Sequence, residues 1–266
     1  RYTMWNTDNF GPHVEDSDPL YQSIPFLIGF DGSQAYGLYY DNSYKSIFDL
    51  GETDKNKFIY EADGGQLDYY FIKGPEIRQV IQRYTELTGT TPLPPRWALG
   101  YHQSRYSYYP EAEVKEIARE FRDREIPCDG LHLDIDYMDG YRIFTWDKQG
   151  FPQPRKLLTD LKEKGFKPVT IIDPGVKEDP NYHVYQEGCR QDYFCKYMDG
   201  TLYYGEVWPG ICAFPDFASP EVREWWGELN KTLLEQGVEG IWNDMNEPSV
   251  FDSETYTVDE NVVHEG

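Results

Sequence analysis

The sequence predicts an α/β protein: the first half of a (β/α)8 barrel preceded by part of an antiparallel β-sandwich. Three observations carry this reading. Residues 1–91 hold short alternating runs such as AYGLYY and KFIYEA, broken by Asp-Gly and Gly-Gly pairs, as antiparallel strands and their turns require. From residue 97 onward, apolar strand-like runs alternate with amphipathic helical ones, the pattern of successive β/α units. Each of those runs ends on polar groups, and the C-terminal ends of barrel strands are where such a fold keeps its chemistry.

The elements follow in order. Residues 1–91 read as β-structure throughout and, with few strands and an abrupt opening, as the C-terminal part of an N-terminal sandwich domain. TPLPPRW at 91–97 places three prolines in four positions, a stiff extended linker, and the domain boundary is set there, between 91 and 92. A strand over 97–105 precedes the helix EAEVKEIAREFRDRE, and a strand over 130–138 precedes the helix PRKLLTDLKEKG. A third strand spans 167–176. A long irregular passage follows it, and then the helix SPEVREWWGELNKTLLEQG, with Ser219 as its cap, Pro220 in its first turn and Gly237 at its end. The fourth strand is GIWNDMNE, so residues 92–266 hold about four β/α units with an insertion near 177–218. A connection that long is usually functional, and this one is dense in aromatic residues. Four units are half of an eight-fold barrel, which predicts a polypeptide that is part of a larger enzyme.

Composition narrows the partners. With 47 acidic against 25 basic side chains the net charge is −22, which repels nucleic acid and anionic lipid and favours a neutral ligand. No apolar run reaches the roughly 18 residues a membrane helix needs, and the N-terminus lacks the basic start and apolar run of a signal peptide. A cytoplasmic protein is expected, one compatible with a homo-oligomer. The 23 Tyr and 7 Trp are mostly core material, yet their number suggests a stacking surface. Cys128, Cys189, Cys195 and Cys212 show no metal or redox spacing and read as free thiols, with a Cys189–Cys195 bridge as the alternative. No metal and no cofactor is expected. The sequon at Asn230 falls inside a helical pattern and reads as accidental.

The chemistry concentrates at strand ends. Alternation puts Trp242 and Asp244 on one face, an indole beside a carboxylate, a pair suited to a sugar ring: the indole stacks on C–H faces while the carboxylate addresses a hydroxyl or the anomeric carbon. The bland reading of Asp244 is a cap on the next turn. Glu247 competes for the nucleophile or acid role, with a supporting hydrogen bond preferred, since Pro248 biases it to extended geometry. On the same reasoning Asp134 and Asp136 share a strand face with Ile135 opposite, against the bland reading of a surface loop. Gln103, Arg105 and Asp173 are the polar groups at the ends of the other strands. Trp208 and Asp216 belong to the aromatic passage. His102, without a second histidine nearby in the sequence, reads as a core histidine. No glycine-rich phosphate loop follows any strand, which argues against nucleotides and phosphosugars.

These residues resemble a known family. WNDMNEPS at 242–249, LDIDYMDGY at 133–141, PPRWALGYHQSRYSY at 94–108 and VWPGICAFPDF at 207–217, with MWNTDNFGPHVEDSDPLYQSIPF at 4–26, are similar to glycoside hydrolase family 31, specifically its bacterial-type α-glucosidases. The resemblance implies a retaining mechanism on terminal α-linked glucose of maltose- or isomaltose-type oligosaccharides, with Asp244 at the family's nucleophile position. It implies that Asp134 and Ile135 meet the hydroxyls of that glucose, that Ile171, Trp208, Trp242 and Met245 line the pocket, and that Asp8 contacts the substrate from a sandwich loop. The departure is the family's general acid/base, an aspartate on a later strand that no residue here matches. The remaining half of the enzyme, as a continuation or a separate chain, is therefore expected as a partner. The alternatives are an α-transglucosidase and a non-catalytic carbohydrate-binding module.

Overall fold

A computed structural model describes residues 1–264, and they divide into two compact units, Arg1–Leu93 and the residues from Pro94 onward. The first unit opens with β1 (Tyr2–Met4), β2 (Phe26–Phe30), β3 (Ala35–Tyr40), β4 (Ser46–Asp49), β5 (Ile59–Ala62) and β6 (Tyr69–Lys73). These pair antiparallel in two three-stranded sheets, β1-β4-β5 and β2-β3-β6. The expected sandwich material is therefore present. Tyr40 of β3 stacks on Tyr60 of β5 at 3.7 Å between ring centroids, which ties the two sheets together through aromatic area.

The first unit is not all β. Ile77–Thr88 forms a helix, α1, which the reading of 1–91 as β-structure missed. Its apolar residues Ile77, Val80, Ile81, Tyr84 and Leu87 recur at helical spacing, so the signal was present and was outweighed by the tyrosine-rich strands around it. Val80 is fully buried against β3, and Tyr84 stacks on Phe26 at 4.0 Å. The close approach depends on Gly37, where a Cβ would lie 2.7 Å from Val80 Cγ1.

In the second unit β7 (His102–Gln103), β8 (Gly130–Leu133), β9 (Lys167–Ile172) and, after an insertion, β14 (Gly240–Asn243) form one parallel sheet in the order β14-β9-β8-β7. Helix α2 (Glu111–Asp123) joins β7 to β8, and α3 (Pro154–Glu163) joins β8 to β9. The insertion holds β10 (Val176–Lys177), α4 (His183–Gln191), β11 (Lys196–Tyr197), β12 (Tyr204–Val207) and β13 (Gly210–Ala213); α5 (Pro220–Leu234) then leads into β14, and β15 (Val262–Val263) comes last. Parallel strands with a helix between them are the architecture expected from the alternation.

Packing explains the order. Val114 and Ala118 of α2, Leu157, Leu158 and Leu161 of α3, and Val222, Trp225, Leu229 and Leu233 of α5 share one buried cluster with Leu131 and Leu133 of β8 and Ile172 of β9. One face of each helix thus covers the outer face of the sheet. Ser219 Oγ accepts from the Val222 N–H, so the anticipated cap of α5 forms, with Pro220 following it. Among the described residues no helix is long and apolar enough to cross a membrane.

Three expectations are corrected. The strand expected over 97–105 shrinks to His102–Gln103, because Arg96–Leu99 makes a 3-10 turn after Pro94-Pro95 and β7 finds a ladder partner, β8, on one side only. The strand expected over 130–138 stops at Leu133, where Asp134 Oδ1 accepts from the Ile135 N–H at 2.7 Å and caps a 3-10 turn over Ile135–Tyr137. The passage after β9 is not irregular: β10-β13-β12 form an antiparallel sheet, and Cys195, Tyr203, Val207, Cys212, Phe214, Val250 and Val258 make a second core. All four cysteines are free.

Candidate active site

Three neighbouring parallel strands are each followed directly by an aspartate: β8 by Asp134, β9 by Asp173 and β14 by Asp244. The ladder runs past the last strand residue, since the Asp244 N–H donates to the Ile172 carbonyl at 3.2 Å. His132 pairs with Val169 and Trp242 with Ile171 in register, so these four occupy one face of the sheet, and alternation carries that face on to Asp173 and Asp244. The opposite face, with Leu131, Leu133 and Ile172, packs on the helices.

Along this inner face runs an aromatic row. Trp97 stacks on His102 at 5.5 Å, His102 meets His132 at 5.3 Å, and His132 meets the edge of Trp242 at 5.8 Å. His102 Nε2 lies 3.1 Å from the Trp97 carbonyl, which requires a hydrogen on that nitrogen; its Nδ1 then accepts from His132 Nε2–H at 3.0 Å. His102 is thus hydrogen-bonded but half-buried rather than a core residue, and a second histidine, 30 residues away in sequence, is its partner. Burial, and then His102, push the His132 pKa down and keep it neutral.

The electrostatics link the three aspartates. The Asp173 carboxyl is 5% exposed, and burial first, then the charges of Asp244 and Asp134, push its pKa up to about 7. Its Oδ1 is buried without a hydrogen-bond partner among the described residues. Burial also raises the Asp134 pKa, as do Asp244 and Asp136, against the Ile135 N–H that lowers it. Asp136 instead interacts with Tyr141, whose hydroxyl pKa is raised first by a hydrogen bond with Tyr106, then by burial and then by Asp136. The common face expected for Asp134 and Asp136 is lost because a 3-10 turn, at about 3 residues per turn, separates residues two apart.

The remaining predicted residues divide by element. Ile135 and Ile171 are 3% and 2% exposed within the main core, and the Ile171 carbonyl accepts from the buried Tyr137 hydroxyl at 2.9 Å. Trp242 and Asp244 are half-buried. Met245 turns the chain away from the sheet with φ of 59°, an unusual backbone for a residue with a side chain, and packs against the second core. Glu247 is half-buried in the turn that follows. Trp208 sits at the tip of the β12–β13 hairpin, 49% exposed, with its ring 4.9 Å from that of Phe251. Asp8 is buried within the first unit, between β1 and β2. Asp173 is read from the sequence as a polar strand end but is given no role there, and His132 is not singled out.

The described residues hold one group of metal-capable side chains, Cys195, Asp216 and His264. His264 Nδ1 lies 3.2 Å from Asp216 Oδ1 and 3.8 Å from Cys195 Sγ. Burial, then Asp216, push the Cys195 thiol up to about 12, so it stands as a neutral thiol beside a His–Asp pair. The strand-end aspartates offer different chemistry: carboxylates beside an indole, able to attack or stabilise a cation-like carbon in a partly desolvated site.

Comparison with known proteins gives the family and the fold. Residues 91–266 match the model of the glycosyl hydrolases family 31 TIM-barrel domain, and residues 1–49 match that of the glycosyl hydrolase 31 N-terminal galactose mutarotase-like domain. The chain is 55% identical over 263 residues to α-glucosidase 2 of Bacillus thermoamyloliquefaciens, covering 99% of this chain and 33% of that protein. It superposes on a family 31 α-glucosidase from Bacteroides thetaiotaomicron with a TM-score of 0.87 at 43% identity, covering 97% of this chain and 44% of the other. A glucose-complexed family 31 dextranase from Flavobacterium johnsoniae gives a TM-score of 0.89 at 37% identity, covering 99% and 32%. The chain spans about a third of the length of the curated relatives it matches.

Proposed function

Because the chain belongs to glycoside hydrolase family 31, we propose that it supplies the nucleophile half of a retaining, exo-acting α-glucosidase that releases terminal glucose from maltose- or isomaltose-type oligosaccharides. The observation that carries this reading is Asp244, half-buried at the end of β14, with Trp242 on the same face and Asp134 near enough for its charge to be felt. An Asp244 carboxylate oxygen attacks the anomeric carbon and the C1–O bond to the leaving sugar breaks. That oxygen takes its proton from a general acid outside these residues, and a covalent β-glucosyl ester forms. Water, deprotonated by the same acid/base group, then attacks C1 and frees Asp244 with net retention.

The other residues take supporting roles. Asp134 grips hydroxyls of the terminal glucose, and the cap it makes on the next turn holds its carboxylate in place. Ile135, Ile171, Trp208, Trp242 and Met245 form apolar and aromatic walls, Glu247 steadies the turn after the nucleophile, and Asp8, by its family resemblance, contacts the substrate. In the full-length enzyme, a mechanism-based 5-fluoroglucosyl fluoride should label Asp244, read by peptide mass spectrometry. Asp244→Asn should lower kcat on maltose at least ~10³-fold, the scale of loss for an activated nucleophile. A label on any other carboxylate refutes the assignment.

A further inference from the structure

Asp173 has no part in the steps above, yet its position is the most constrained of the three strand-end aspartates. It follows directly on Ile172 of β9, and β9 lies between the strands that carry Asp134 and Asp244. Its side chain is almost fully covered, and Oδ1 has no hydrogen-bond partner among the described residues. The titratable groups that interact with it electrostatically are the carboxylates of Asp244 and Asp134, the Tyr137 phenol from the turn after β8 and the Cys212 thiol from β13. The Tyr137 hydroxyl is already committed to the Ile171 carbonyl. Both charges that bear on Asp173 are negative, Asp244 more strongly than Asp134.

An ionised carboxylate in this position leaves a buried oxygen unpaired and faces two like charges. A protonated one has an O–H to give, and the Asp244 carboxylate, on the neighbouring strand and the charge that bears on it most, is an acceptor. We propose that Asp173 is a positioning residue for the reaction at Asp244: it works as a neutral carboxylic acid whose O–H holds the attacking carboxylate in place, and its ionisation slows glycosylation. This rests on Asp244 being the nucleophile. Loss of the proton withdraws the donor and sets like charges against each other. Displacing an attacking atom by about 1 Å costs on the order of 10²-fold. The raised pKa of Asp173, about 7, puts this transition near neutral pH.

The test uses the full-length enzyme and α-glucosyl fluoride, whose leaving group departs without needing a proton, so that the general acid does not shape the alkaline side of kcat/KM. The wild type should lose about 10-fold or more in kcat/KM between pH 6 and 8.5. Asp173→Asn, which has the same shape and an N–H donor but cannot ionise, should change less than about 3-fold over that range, whatever its absolute rate. A wild-type profile that is flat or rising overturns the proposal and needs no variant to do so. The wild-type inflection surviving unchanged in Asp173→Asn overturns it as well. Labelling the same preparations with the fluorosugar separates the two claims: a label on Asp244 leaves the nucleophile standing when the pH profile fails, and a label elsewhere removes the basis of both.

Discussion

Burial of Asp173 couples stability to pH, with a sign opposite to that of a salt-bridged aspartate. Its folded pKa lies near 7, above the ordinary 3.8, so between these values the folded chain holds a proton that the unfolded chain has released. Stability is therefore full below about pH 4, falls as pH rises toward 7, and levels off above it. One such group contributes a slope of about 1.4 kcal/mol per pH unit at most. In the full-length enzyme, Asp173→Asn should match the wild type most closely near pH 4 and exceed it in thermal midpoint at pH 8. Parallel pH dependences in scanning calorimetry would remove the premise of a proton held in the folded state. His132 acts in the other sense, since a lowered pKa costs stability as pH falls below the ordinary histidine value, but it is common to both proteins and cancels. Asp244, Trp242 and Asp134 were legible in the sequence as strand-end chemistry. The mutual burial of Asp173 and the His102–His132 bond were not, because each joins residues about 30 or more apart.

At the scale of elements, apolar periodicity and capping chemistry made α2, α3 and α5 readable. Ser219→Ala removes the side-chain acceptor for the Val222 N–H and should destabilise the full-length enzyme by about 1 kcal/mol. Leu233→Ala, at a fully buried position on the same helix, should cost about 2–5 kcal/mol. Chemical denaturation midpoints compare the two, and equal losses would contradict the burial assigned to this face. The strands were less readable at their ends. β8 stops where Asp134 takes the next N–H, a local competition that alternation does not reveal. The strands of the insertion are short, two to four residues, and β10 pairs with β13 more than 30 residues further on, so they escaped notice even though β12 and β13 form a local hairpin.

At the scale of the molecule, a retaining glycosidase needs two carboxyl groups about 5–5.5 Å apart, one to attack and one to exchange the proton. The proposed nucleophile lies on the fourth of the parallel strands described, and no residue here matches the family motif of the acid/base. Residues 1–266 produced alone should release no glucose from maltose under conditions where the full-length enzyme does, as a coupled glucose assay would show. Turnover by that polypeptide would place a second catalytic carboxyl among the residues shown.

Taken by itself, the sequence determined the class of fold, the order of the β/α units and the aspartates at the ends of their apolar runs, because periodicity and strand-end polarity are local properties of the chain. Tertiary structure alone decided that Asp134 caps a turn rather than continuing a strand, that the insertion folds on a core of its own, and that Asp173 is sealed between two carboxylates. Each of these depends on desolvation and on neighbours contributed by distant segments, and a carboxyl group changes its protonation only when such neighbours close around it.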